Sequence, residues 1–397
     1  MAKLSLNDIG GELKGKKVLM RVDFNVPLDE NREITSDKRI RAAVPSIKFV
    51  IENGGRLILM SHMGRPKGEK KKEFSLDVAA KKLSEIIGKE VKFASDCIGD
   101  EAKKTVDSLS DGDVALLENL RFYKEETDND PEFSKKLAEL GDIYVNDAFG
   151  TAHRAHASTE GVTKYMKKCA AGFLMEKELK YIGDTLENAE KPFVAILGGA
   201  KVSDKITVIE NLLDKVSEII IGGGMAYTFL KAKGREIGNS LCEDDKINVA
   251  KEILKKAIDK DVYIFLPIDH IVAKEFKEDA VAKEVIRDGI EEGWQGLDIG
   301  PMTIKKFTNV IKDAKTIIWN GPMGVFEFEQ FARGTMEVGK AIAESNAVSI
   351  VGGGDSVAAL KKLGLTDKMT HVSTGGGASL EMMEGKTLPG VAALTDK

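Results

Sequence analysis

Cysteine is scarce in this chain of 397 residues. Cys97, Cys169 and Cys242 are odd in number and far apart. They frame no disulfide scaffold and form no CxxC site, and they read as reduced thiols. Proline is sparse too, nine against 39 glycines, which points to many backbone turns rather than to disorder. No run approaches the ~20 apolar residues of a membrane span, and Met1–Asp8 lacks the apolar core of a signal peptide. These absences set the expectation of a cytoplasmic protein with no membrane partner. An excess of positive charge is missing: the net charge of −5 argues against broad nucleic-acid binding. Three motifs are missing as well. There is no GxxxxGK[ST] phosphate loop. No GxGxxG closes, because the sixth position is Tyr227 after Gly222 and Val357 after Gly352. There is no HExxH, and His153 and His156 have no cysteine partner. Zinc is therefore not expected, and this pair reads as anion-binding or positioning.

What is present is a globular composition, 42 % hydrophobic and 31 % charged, in a chain too long for one ordinary core. Two domains of about 150–200 residues are expected. Short apolar runs alternate with longer amphipathic stretches. In the first half they are Lys17–Val22, Arg56–Met60, Val114–Leu117 and Ile143–Val145. In the second half they are Phe193–Leu197, Glu218–Ile221, Val262–Leu266, Thr316–Trp319, Val348–Val351 and His371–Ser373. The alternation predicts α/β domains, each a parallel sheet with helices on both faces. Ligands of such sheets bind beyond the carboxyl ends of the strands.

The residues beyond each run differ between the halves. The first half offers side chains: Arg21, Asp23 and Asn25, then His62 and Arg65, then Arg121, then Arg154, with Arg39 as a further cation. Arginine forks suit a small, highly charged anion. The second half offers bare backbone: Gly198-Gly199, Gly222–Gly224, Gly321-Pro322-Met323-Gly324, Gly352–Gly354 and Gly375–Gly377. Glycine loops suit a nucleotide lying against main chain. Between the halves, Met175, Leu179, Ile182 and Leu186 recur at helical spacing. They predict a helix over 174–190, either a stiff linker with hinges at its ends or an ordinary surface helix. The domains are placed at 1–173 and 191–378, with 379–397 as a C-terminal tail.

Around Val351–Ser356 the pattern reads as strand, glycine turn and helix N-terminus. Asp355 stands where amides and dipole would hold an anion, as suits a metal-complexed phosphate; the alternative is an acid that caps the helix. Lys201 and Lys205, four apart, are expected on one helix face, the first placed for a phosphoryl group in transfer and the second for nucleotide phosphates. Asp23 and Asn25 alternate to one side, able to reach a hydroxyl-bearing ligand or to make turn hydrogen bonds, while Phe24 turns to the core. Asn320 ends a strand, and Glu327 is placed either for a ribose hydroxyl pair or simply in solvent.

Eight stretches together resemble the phosphoglycerate kinase family: RVDFNVP at 21–27, SHMGRP at 61–66, ENLRF at 118–122, DAFGTAHRAHAST at 147–159, GGAKVSDK at 198–205, GPMGVFE at 321–327, GGGD at 352–355 and STGGGASLE at 373–381. They run in order through essentially the whole chain. One departure is Met302, where a lysine or other polar residue is expected on a loop flank. The resemblance implies two Rossmann-like domains joined by the linker helix, a monomer, and reversible phosphoryl transfer from 1,3-bisphosphoglycerate to ADP with magnesium. It implies that Asp23 and Asn25 hold the glycerate, that His62, Arg65, Arg121 and Arg154 hold its phosphate, and that Arg39 reaches the reacting carboxyl group. Lys201 would neutralise the phosphoryl in flight, with Gly375 and Gly376 as further amide donors. Gly199, Lys205, Gly222, Gly223, Gly296, Asn320, Glu327, Gly352, Gly353 and Gly354 would bind nucleotide, and Asp355 its magnesium, directly or through water. A carboxylate acceptor needs no general base, so transfer would be direct and in line, driven by alignment, charge neutralisation and hinge closure that excludes water. The rivals are an NAD-dependent dehydrogenase and a non-catalytic two-lobed anion-binding protein.

Overall fold

A computed structural model describes residues 3–286 and 289–397. The chain divides into two compact units, one comprising the residues up to Leu179 together with Thr387–Lys397, the other Lys180–Lys386.

The first unit is built on a six-stranded sheet. Its strands are β1 (Lys17–Arg21), β2 (Arg56–Met60), β3 (Val91–Phe93), β4 (Val114–Leu116), β5 (Ile143–Asn146) and β6 (Cys169–Ala171). They lie in the order β3-β4-β2-β1-β5-β6 and every pairing is parallel. Alternate residues Val18, Met20, Leu57, Leu59, Val145 share one core with Ile40, Ile47 and Val50 of the helix Lys38–Glu52. The intervening Leu19, Ile58 and Tyr144 are buried as well. Both faces are therefore covered, which is why these strands read as continuous apolar runs. The chain moves outward from β1 through β2 and returns to place β5 on the other side of β1. Ligands of open α/β sheets bind at such a reversal.

The second unit repeats the plan. Its main sheet holds β7 (Phe193–Leu197), β8 (Glu218–Ile221), β9 (Tyr263–Phe265), β13 (Thr316–Asn320), β14 (Val348–Gly352) and β15 (His371–Val372), all parallel, in the order β15-β14-β13-β7-β8-β9. Trp319, Phe307, Ile311, Val338 and Leu360 fill the core on one face. Here the reversal lies between β7 and β13. A second, antiparallel sheet joins β10 (Asp269–Ala273), β11 (Ala282–Ile286) and β12 (Gln295–Ile299) in the order β11-β10-β12. The runs in the sequence do not announce it.

Three expectations need correction. The stretch 174–190 is not one helix: a helix Phe173–Glu178 passes into a π-helical turn, Leu179–Gly183, and then a helix Asp184–Asn188. The π-turn adds a residue to the repeat, yet Met175, Ile182 and Leu186 of the expected stripe are buried and Leu179 is half-buried. The expected tail 379–397 divides, because residues up to Lys386 stay with the second unit. Its last part docks on the first unit, where Leu4 N–H donates to Thr395 O (2.8 Å) and Gly390 N–H to Ala152 O (2.8 Å). Met302 lies not on a loop flank but in the first turn of the helix Pro301–Asp313, where its N–H donates to Asp269 Oδ2 (2.7 Å).

Candidate active site

In the first unit the loops after β1, β2, β4 and β5 carry the predicted side chains. Asp23 accepts from the Arg39 guanidinium (3.1 Å at Oδ2), and Arg39 also donates to Asn25 O (3.0 Å). Arg39 enters from the first turn of the helix Lys38–Glu52. Asn25 Oδ1 accepts from Gly64 N–H (2.9 Å), while Arg121 Nη1 donates to Gly64 O (2.9 Å). The Gly64 peptides are thus held from both sides, at a φ of 62° that favours glycine. Phe24 is fully buried, as its alternation with Asp23 and Asn25 requires.

Arg121 is the informative cation. Its Nε is buried and has no hydrogen-bond partner among the described residues. Burial, and next the nearby Arg21, lower its pKa to about 10. Arg65, Arg121 and Arg154 line one cavity of about 440 Å³ together with Lys67, Lys124 and Tyr123, and no carboxylate is among the lining residues. Arg65 and Arg154 are exposed. An under-satisfied guanidinium in a wall of cations is a site that awaits an anion.

Arg21, read from the sequence as another ligand-facing cation, is fully buried. Its Nε donates to Ser158 Oγ (2.9 Å), and that hydroxyl donates onward to the buried Glu126 (2.6 Å). Arg21 Nη2 lies 3.0 Å from His62 Nδ1. A guanidinium cannot accept, so Nδ1 carries the lone pair and Nε2 the hydrogen. Burial, reinforced by Arg21, holds His62 well below the usual histidine range, so His62 offers a neutral N–H donor rather than a charge. His156 is likewise lowered to about 4, first by burial and then by Arg121. No group of three metal-ligating side chains exists among the described residues. Glu126 and Ser158 escape sequence reading, since nothing in their spacing marks them.

The glycine loops of the second unit behave differently from expectation. Gly198 N–H donates to Asn320 O (3.0 Å), Gly199 N–H to Pro322 O (3.2 Å), Gly222 N–H to Leu197 O (2.9 Å) and Gly223 N–H to Met323 O (2.9 Å). These amides are spent on one another's carbonyls and are not open to a ligand. A Cβ on Gly198 would overlap Pro322 O, and one on Gly223 would press on the Gly199 backbone at 2.7 Å. The glycines let the ends of β7, β8 and β13 meet main chain to main chain at the reversal point. The product is a floor without side chains.

Lys201 and Lys205 do not share a helix face, because the helix begins only at Ile206; Lys205 closes the turn before it and Lys201 precedes that turn. Lys201 is exposed, while Lys205 donates to the buried Asn320 carboxamide and has its pKa lowered chiefly by burial. Gly352 belongs to β14, so the turn consists of Gly353, at φ 87°, and Gly354, which opens the helix Gly354–Leu363. Asp355 is exposed in its first turn and makes no capping bond. Gly375 N–H is taken by Ser373 Oγ (3.0 Å), which leaves Gly376 and Gly377 as the candidates for amide donors there. Gly296 lies in β12, where the buried Tyr227 phenol fills the space a Cβ would need, and Glu327 is exposed in a turn.

Two parallel-sheet units, one with an arginine-lined cavity that no carboxylate lines and one floored with backbone, define an α/β enzyme of the phosphoryl-transfer type. The phosphoglycerate kinase family model matches residues 6–386, and the chain belongs to that family. The phosphoglycerate kinase of Clostridium botulinum strain Hall is 60 % identical over 397 residues, covering 100 % of this chain and 99 % of that protein. That of Clostridium perfringens strain 13 is 60 % identical over 398 residues with the same coverage. Among solved structures, phosphoglycerate kinase from Coxiella burnetii superposes with a TM-score of 0.91 at 46 % identity, and that from Pyrococcus horikoshii OT3 with 0.83 at 36 %, each covering 98 % of both chains. The dehydrogenase and non-catalytic readings lapse. Among the described residues no helix is long and apolar enough to cross a membrane.

Proposed function

We propose a division of labour between the units for the glycolytic reaction that family membership entails, reversible phosphoryl transfer from 1,3-bisphosphoglycerate to ADP giving 3-phosphoglycerate and ATP. The first unit takes the phosphoglycerate. Arg65, Arg121 and Arg154 grip its phosphate, His62 donates Nε2–H, Asp23 and Asn25 take the glycerate, and Arg39 reaches the reacting carboxyl group. Among the described residues, the Nε of Arg121 without a partner, beside a cavity that no carboxylate lines, carries this reading.

The second unit takes the nucleotide. Its ring lies on the floor made by Gly199, Gly222 and Gly223 and beside Gly296, with Glu327 on the ribose. Lys205, positioned by Asn320, meets the phosphates, as do the first-turn amides after Gly353. Gly352 shapes this turn from the strand. Asp355 alone is too few ligands for an all-protein metal cage, but it fits a magnesium ion carried mainly by nucleotide oxygens. The ion supplies charge neutralisation on the phosphates when bound. Lys201 and the Gly376 amide stabilise the phosphoryl group in transfer, with Gly375 shaping that turn. Both possible acceptors, a carboxylate and an ADP phosphate oxygen, are already deprotonated, so catalysis needs alignment and charge rather than a base. The protein acts as a monomer. Its three cysteines, all free, fit a reducing cytoplasm.

Calorimetric titrations of two variants test the division. Arg65→Ala is expected to weaken 3-phosphoglycerate about tenfold and spare magnesium-ADP, and Asp355→Ala to do the reverse. Equal losses for both ligands in either variant would refute it.

A further inference from the structure

We propose that the second unit carries a separate binding site for a small organic anion with a flat apolar body and a phosphate or carboxylate head. The site is a cavity of about 460 Å³ between β9, the edge of the main sheet, and β10 of the antiparallel sheet. That volume falls in the range of roughly 300–1,000 Å³ typical of small-molecule pockets. None of the glycines of the nucleotide floor lines it.

Its charge is the first argument. Lys233, Arg235 and Lys306 all line the cavity, against one carboxylate, Glu236. The chain as a whole carries a net charge of −5, so this concentration of cations runs against the background. Among the described residues none of the three is ion-paired; Lys306 instead lies 5.2 Å from the Phe265 ring. His270 adds no charge, because burial lowers it to about 4. Among the described residues the three cations therefore have no carboxylate partner, and Lys306 has the Phe265 ring beside it.

The apolar wall is the second argument. Leu230 and Ile237 form buried sides, and the Tyr263 ring stands 62 % exposed at the cavity. An exposed ring beside cations suits a flat body that stacks while its head pairs. One end is closed by backbone: Ile237 bridges Ile290, and Gly289, at φ 99°, brings its main chain against Glu236. Tyr227, hydrogen-bonded to His270 (3.3 Å), is common to this cavity and to the space beside Gly296.

The test is a fluorescence titration of the full chain with 1-naphthyl phosphate. We expect saturable binding that stays within about threefold in saturating ADP and 3-phosphoglycerate, and that is at least about tenfold tighter than for 1-naphthol or inorganic phosphate alone. The double variant Lys233→Glu with Arg235→Glu should lose about tenfold or more while keeping its ATP-dependent turnover, which also reports its folding. If that variant does not fold, Lys306→Glu takes its place with the same expectation. Displacement by ADP, equal affinity for 1-naphthol, or unchanged affinity in the folded charge-reversed protein overturns the proposal.

Discussion

Replacing Arg121 with methionine should separate binding from stability. The side-chain stem and most of its volume remain, while the guanidinium goes. The free protein loses the bond from Nη1 to Gly64 O, worth about 1 kcal/mol. It also sheds a buried Nε without a partner and a repulsion with Arg21, which works in the opposite direction. The two effects oppose each other, so unfolding free energy should stay within about 1 kcal/mol of the parent. Binding has no such offset. A phosphate loses two charge-assisted contacts, together worth about 3 kcal/mol, or roughly 150-fold in Kd. Arg121→Lys keeps the charge without the fork and should recover only part of that loss. Calorimetry with 3-phosphoglycerate at fixed ionic strength, alongside urea unfolding of the same samples, measures both quantities. A Kd within twofold of the parent would refute the assignment. So would a stability loss as large as the binding loss, because the residue would then be holding the loop rather than the ligand.

Two further predictions concern buried titrating groups. Asp147 is fully buried and accepts from Leu174 N–H (2.8 Å) at one oxygen, while the other has no partner among the described residues; burial raises its pKa to about 6. The folded state binds this proton more tightly than the unfolded chain does. The stabilisation is complete below the ordinary carboxylate pKa and is lost as pH rises through about 6. Parent stability measured relative to Asp147→Asn should therefore fall by about 2–3 kcal/mol between pH 4 and 7, and a pH-independent difference would contradict this. His62 should remain the neutral Nε2–H tautomer from pH 8 to 6 in nitrogen NMR, since Arg21 can only donate to Nδ1. A resonance titrating near pH 6.5 would refute that geometry.

The fold was legible where strands were long and buried on both faces. The runs at 56–60, 193–197 and 218–221 match β2, β7 and β8 residue for residue. It was illegible where burial is one-sided or where a short strand carries no apolar run of its own. β11 alternates between exposed and half-buried residues, β3 is Val-Lys-Phe and β6 is Cys-Ala-Ala, so none of them carries a β-branched apolar run like those of β4 and β9. At the site, residue types were readable but their duties were not. A glycine after a strand either exposes an amide or admits a neighbouring backbone. Gly198, Gly222 and Gly223 do the second, because their partners come from segments distant in the chain. Arg21 illustrates the same limit: a strand-end arginine looks like a ligand-facing cation until Ser158, 137 residues away, claims it. The spacing of Lys201 and Lys205 misled because a helix pattern does not reveal where the first turn starts.

Steady-state phosphorylation of 3-phosphoglycerate by ATP, followed in a coupled assay for the parent and Lys201→Ala side by side, tests the central claim most directly. The account predicts magnesium-dependent turnover in the parent. In the variant kcat should fall by about 100-fold or more while ADP affinity stays within about threefold, as removal of a transition-state charge requires. A folded parent that binds both ligands without turning over, or a variant that retains the parent kcat, would contradict it.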